Sequence, residues 1–119
     1  IYNGLCRIKA QETKHDVQNC CWHIELPSTP VERLFYATDT NNLNGITAKG
    51  YNLYLVEANY TEADIQDRIA EKKINGEYVY EKRVMREHLS KEKADDWLCA
   101  NMAAYSEYIY MHGHQEKDN

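Results

Sequence analysis

Long apolar runs are missing from this chain, and no stretch approaches the ~20 residues that a membrane-spanning helix needs. No charged-then-apolar leader opens the sequence, so no secretory signal is read. Phenylalanine occurs once against ten tyrosines, which points to strands with one wet and one dry face. The four cysteines, Cys6, Cys20, Cys21 and Cys99, include no C-x-x-C pair. Adjacent Cys20 and Cys21 point to opposite faces if they lie on a strand, which argues against a zinc knuckle. Free core cysteines in a reducing cytoplasm are the expectation. An excess of positive charge is also lacking: the formal net charge is −5. Bulk electrostatics therefore favour neither nucleic acid nor an anionic membrane, and nucleic acid enters only as a substrate.

What is present suits one globular domain of modest core: 119 residues, 43% hydrophobic and 28% charged. The pattern predicts strands over 6–15, 20–26 ("CCWHIEL") and 32–38 ("ERLFYAT"), the second closed by the turn signal Pro27-Ser28-Thr29-Pro30. "YNLYLVEA" at 51–58 is nearly continuous in apolar residues, as in a strand buried on both faces. Short spacing makes this part read as a meander. The period then changes. Thr61 and Asp64 approximate a capping box, Ile65 and Ile69 share a face, Lys72 and Lys73 fall in the last turn, and Asn75-Gly76 ends a helix. A helix or ordered loop follows over 78–86. Ser90 caps another helix with Ala94, Trp97, Leu98 and Met102 as its stripe. "EYIYMHGH" at 107–114 closes the domain, 1–114, as a strand, and 115–119 form a charged tail expected to be disordered.

Four segments place ligand-type residues at strand ends: "KHDV" at 14–17, "ATDT" at 37–40, "EANY" at 57–60 and "EHLS" at 87–90. His15, Asp39 and His88 are residue types that bind zinc or a similar divalent ion, too far apart in sequence for a local finger. Each also has an ordinary reading. His15 suits the surface of an edge strand, Asp39 a turn cap, and His88 a solvated loop before Ser90. Glu57 and Asn59 suit the start of the turn into the helix. Asp39 raises one question in either case, because a carboxylate at the end of an aromatic strand needs a partner if it is buried.

"KHDVQNCCWHI", "RLFYATDT", "YLVEANY" and "EHLSKEKADDWL", in this order and spacing, resemble the metallo-β-lactamase superfamily, in particular its bacterial and phage-encoded hydrolase branch related to the ribonuclease Z type. The resemblance runs over nearly the whole chain. It implies an α/β fold: half of a four-layer αβ/βα sandwich, with a mixed sheet and helices on one face. It implies His15, Asp39 and His88 as metal ligands, with Asp39 bridging two divalent ions, zinc first and manganese or iron as the other candidates. Asp16, Glu57 and Asn59 would be outer partners that orient the ligands.

The family's H-x-H-x-D-H motif is absent from the sequence. Its nearest string, "HGH" at 112–114, reads as a strand end running into the tail. The chain opens on Ile1 rather than Met, and the expectation is the C-terminal half of a cytoplasmic metallo-hydrolase acting on a phosphodiester or similar ester. Alone it would be inactive and hold its ions partly or not at all. The alternative is a natural half-domain without catalysis, serving as a binding or assembly module. In both cases a partner is expected, either the missing N-terminal half or a second copy in a homodimer.

Overall fold

The computed structural model describes residues 6–13 and 19–111. Four strands come first: β1 (Arg7–Thr13), β2 (Asn19–Leu26), β3 (Glu32–Ala37) and β4 (Leu53–Glu57). Three helices follow, α1 (Glu62–Asn75), α2 (Glu81–Glu87) and α3 (Lys91–Asn101), and β5 (Glu107–Met111) ends the series. The segment read as a helix or ordered loop over 78–86 holds a short helix from Glu81, and residues 14–15 of the expected first strand, 112–114 of the expected last strand and the expected tail at 115–119 lie outside the described residues. The helix ends follow local chemistry. The Thr61 and Ser90 side chains accept from the Asp64 and Lys93 N–H groups, and Gly76 terminates α1 at φ 69°, a left-handed conformation that suits glycine. No helix among the described residues is long and apolar enough to cross a membrane.

The strands form one mixed five-stranded sheet in the order β1-β2-β3-β4-β5. β1, β2 and β3 pair antiparallel, but β3 with β4 and β4 with β5 are parallel. The meander therefore stops at β3. A parallel neighbour requires a crossover over the sheet, and residues 38–52 make one without regular secondary structure. Its Leu43, Ile46 and Ala48 are buried with Cys21, Phe35, Tyr54 and Val56 from the strands and Ala94 and Leu98 from α3. Both parallel connections thus cover the same face. Consecutive parallel strands that advance in one direction with crossovers of one hand produce that result.

Trp97 stacks on Phe35 at 4.5 Å between centroids, and its Nε1 donates to the Ile46 carbonyl at 2.9 Å. Asn101 ties the end of α3 to the crossover: Oδ1 accepts from Ala48 N–H at 2.9 Å and its carbonyl from Gly50 N–H at 2.8 Å. The buried Tyr54 hydroxyl donates to the Ala48 carbonyl at 2.6 Å.

The opposite face carries Trp22, Ile24, Leu34, Tyr36, Leu53 and Leu55, all half-buried, and Ile109 at 53% exposure. None of them belongs to either buried cluster. "YNLYLVEA" is thus apolar on both faces, and only Tyr54 and Val56 on one face and Glu57 at its end are fully covered.

α1 and α2 build a small core of their own, with Ile65 and Ile69 against Val79, Val84 and Met85, and Tyr60 beneath. Its polar lock is Glu81, 1% exposed, whose two oxygens lie 2.9 and 2.8 Å from Lys72 Nζ. Burial pushes the Glu81 carboxyl up, but the hydrogen bond and charge of Lys72 outweigh it and hold the group below its ordinary 4.5. A carboxyl lowered in the folded state stabilises fully above its unfolded pKa and loses that contribution as pH falls through the folded value. Hydrogen-exchange protection factors of the α1–α2 amides should therefore fall below pH 4.5, ahead of those of the sheet amides. In Lys72→Met the hairpin should lose about 3 kcal/mol at neutral pH, because the buried carboxylate is left without its partner.

Candidate functional site

The parallel pairing brings the C-terminal ends of β3, β4 and β5 to one end of the sheet, with Glu57 opposite Met111. Open α/β sheets present ligand sites at that end. After Ala37 the chain turns sharply, and Asp39 adopts φ 57°, a left-handed conformation that Asp accepts more readily than most residues. The turn aims the Asp39 N–H inward, where it donates to Glu57 Oε2 at 3.1 Å. Beyond β4, residues 59–60 pair with 89–91. Asn59 N–H donates to the Leu89 carbonyl at 2.9 Å, Lys91 N–H donates to Tyr60 at 2.8 Å, and Tyr60 and Ser90 form a parallel bridge. Glu92 accepts from the Glu62 N–H at 2.9 Å and so fastens the start of α1 to α3. This lacing holds His88 over the end of β4.

Glu57 is fully buried, 0% exposed. Its Oε2 accepts from the backbone N–H groups of Asp39 and Leu89, at 3.1 and 3.3 Å. Its Oε1 lies 2.5 Å from His88 Nδ1 and 3.4 Å from Asn59 Nδ2. Four donors around two oxygens are what a buried carboxylate requires. The buried carboxylate at this strand end is Glu57 and not Asp39, the residue the sequence pointed to. The Asp39 side chain is 65% exposed, its Oδ1 3.7 Å from His88 Nδ1. The left-handed turn sends the Asp39 amide into the protein and its carboxylate to the rim, while Glu57 goes inside.

Ligand-type atoms of Asp39, Glu57 and His88 thus lie within 4.8 Å of one another. They do not form a ready-made triad of metal ligands. With bonds of ~2.0–2.2 Å, two ligand atoms on one tetrahedral ion stand about 3.4 Å apart, whereas Nδ1 and Oε1 are 2.5 Å apart, a hydrogen-bond distance. A carboxylate accepts, so Nδ1 carries the proton. Nε2, which takes no part in the hydrogen bonds of the described residues, keeps its lone pair. Metal-binding histidines are commonly held this way, by a carboxylate on the other ring nitrogen. A ligand at this rim would therefore meet His88 Nε2 and the Asp39 carboxylate, whose side chain is 65% exposed.

Of the candidates read from the sequence, Asp39 and His88 are brought together, Glu57 anchors both, and Asn59 touches Glu57. His15 and Asp16 lie outside the described residues, although Thr13 and Asn19, which bracket them, sit at this end of the sheet. The depth of Glu57 went unread. Its signal is an acidic residue closing an unbroken apolar run, "YLVE". The backbone donor at Leu89 leaves no trace in sequence. Comparison with protein-family models, curated proteins and solved structures gave no match.

Glu57→Ala should destabilise the protein by about 3 kcal/mol or more, because two buried N–H groups lose their acceptor. Asp39→Asn, which tolerates the same turn, should change stability by less than about 0.5 kcal/mol. Urea unfolding of the two variants against the parent tests this contrast.

Proposed function

We propose that this chain is the C-terminal half of a metal-dependent hydrolase of the metallo-β-lactamase type, acting on a phosphodiester or other ester. The observation that carries the reading is the convergence of Asp39 and His88, from segments far apart in sequence, on one strand-end rim, with His88 oriented by buried Glu57. The donors fit a divalent ion: the exposed Asp39 carboxylate and the lone pair of His88 Nε2, with His15 added by the resemblance. When bound, two such ions would supply a hydroxide and neutralise charge on the leaving oxygen. The chain's own residues orient and exclude. Glu57 fixes the His88 ring and tautomer, Asn59 steadies Glu57, and the Asp39 turn keeps water from the buried carboxylate.

The 2.5 Å bond between His88 Nδ1 and Glu57 favours a second role for the same pair. A histidine whose Nδ1–H is held by a buried carboxylate has its ring fixed in orientation, so His88 would serve as general acid or base toward the ester oxygen through Nε2.

The half-buried sheet face, on which no other element of the described residues packs, supports the half-sandwich part of the reading. Five strands ~4.8 Å apart and about five residues long give a face of roughly 400 Å², on the scale of the largest apolar patch a monomer exposes. In the intact enzyme the sheet of the other half, bearing H-x-H-x-D-H, would pack on it ~10 Å away. In the isolated chain a second copy would take that place through an isologous contact. A half-domain that never binds metal would use the same face for assembly, and this is the reading that remains if zinc binding fails.

Two measurements test the proposal. The isolated chain should bind zinc weakly by calorimetry, since its described donors number fewer than the three of a typical catalytic site. Asp39→Asn and His88→Ala should each remove that binding, and zinc binding unchanged in both variants overturns the metal assignment. Turnover of bis(p-nitrophenyl) phosphate should be absent, and turnover that Asp39→Asn abolishes would overturn the view that this half is inactive alone. In light scattering, the chain should run as a particle larger than its 14.0 kDa; a monodisperse monomer overturns the half-sandwich reading.

A further inference from the structure

At the other end of the sheet, away from Asp39 and His88, lies a cavity of about 340 Å³. It opens where the covering layer stops: the crossover and α3 cover β3 and β4, whereas β1 and the end of β2 extend beyond them. Its wall is Tyr51 and Thr47 from the crossover, and its floor and far side come from β1, β2 and Arg33 of β3. This volume falls at the small end of the range for ligand sites.

Charge gathers there against the character of the whole chain. The net charge of the protein is −5. Among the described residues, Arg7, Lys9 and Arg33 stand around this cavity with a single carboxylate, Glu25, a local excess of two positive charges. The register explains the grouping. Arg7 and Arg33 flank Glu25 from the two neighbouring strands, and Lys9 lies opposite His23. Glu25 reaches Arg33 only at 3.8 Å, with both side chains open to solvent, so it leaves most of the guanidinium's donors to other acceptors.

The inner wall is aromatic and fixed. His23 Nδ1 lies 2.7 Å from the Tyr51 hydroxyl, and Nε2 lies 2.8 Å from Gln11 Oε1. Both ring nitrogens are occupied, so this histidine is committed to holding Tyr51 and offers no donor set for a metal. Burial and the nearby Lys9 charge keep it on the neutral side. The His23 and Tyr51 rings meet edge to face with centroids 5.7 Å apart, and His23 meets Phe35 in the same manner at 5.4 Å. A cavity with a rigid aromatic wall and a rim of cations accepts a flat ring that carries a strong anion.

We propose that this cavity is a binding site for a small phosphorylated molecule built on a flat ring system, of the size of a mononucleotide. The ring packs against Tyr51 and His23, and the phosphate meets Arg7, Lys9 and Arg33. The site is separate from the strand-end cluster: along β3, Arg33 and Asp39 are on the order of 20 Å apart. The proposal does not depend on the hydrolase reading.

Adenosine 5′-monophosphate is the probe, titrated calorimetrically into the full chain at low salt, with adenosine and inorganic phosphate as controls. Saturable one-to-one binding is expected, at least about tenfold tighter than either control, a difference of roughly 1.4 kcal/mol. Arg33→Glu and Lys9→Glu should each weaken it by about tenfold or more, and their circular dichroism should match the parent because both side chains are solvent-facing. Tyr51→Leu should weaken the nucleotide but not phosphate. No saturation at millimolar nucleotide, equal affinity for phosphate alone, or indifference to both charge reversals overturns the proposal. A single-stranded hexanucleotide that binds more tightly than the monophosphate, with the same loss in Arg33→Glu, also overturns it by reassigning the surface to a nucleic-acid strand.

Discussion

A fully buried carboxylate organises one end of this protein. Glu57 closes an apolar strand and has no solvent, so every donor it needs comes from the chain: an amide from the turn after β3, the ring of His88 and the amide of Leu89 from the link between α2 and α3, and the side chain of Asn59 just beyond β4. These four donors belong to three segments. Satisfying Glu57 therefore fixes where three connections end, and a turn with one residue in the left-handed region is tolerated because it delivers one of those amides. An apolar side chain at this position would leave the same segments without a common point of attachment.

The sheet topology places that point where chemistry can use it. Two antiparallel pairs followed by two parallel ones gather the ends of β3, β4 and β5 on one edge. Both crossovers lie on one face, so the core is dense there, with Phe35, Tyr54 and Trp97 in mutual ring contact. The other face remains half-dressed. The asymmetry follows from the order of strands rather than from a weak sequence: its residues are as apolar as those of the covered face, and they lack only an opposing layer among the described residues.

The local punctuation was legible in the sequence. Thr61, Gly76 and Ser90 mark helix ends by side-chain and backbone chemistry that acts within a few residues, and the structure places the ends there. Over the described residues the strands fell within one or two residues of their expected positions because alternation is also local. What escaped were relations between distant segments. The parallel step from β3 to β4 depends on Leu43, Ile46 and Ala48 crossing the sheet, and nothing in "NNLNGITAKG" separates a crossover from a wide hairpin loop. Asp39 and His88 were legible as residue types, but the carboxylate that unites them was not, because the burial of Glu57 is created by the turns on either side of it.

The anchoring of the crossover has a consequence for the order in which the protein takes shape. Residues 38–52 have no helix or strand of their own and depend on bonds to Lys93, Trp97, Asn101 and Tyr105, all encoded about fifty residues later. At synthesis rates of about 5–20 residues per second, several seconds separate the appearance of β3 from that of its fastenings. During that interval the β1–β2–β3 hairpins can pair, since their contacts are near in sequence, whereas the β3–β4 step must await a partner of high sequence separation. The Asp39 turn and the Glu57 pocket are accordingly among the last features to be completed, and the strand-end rim comes into existence only after α3 has docked.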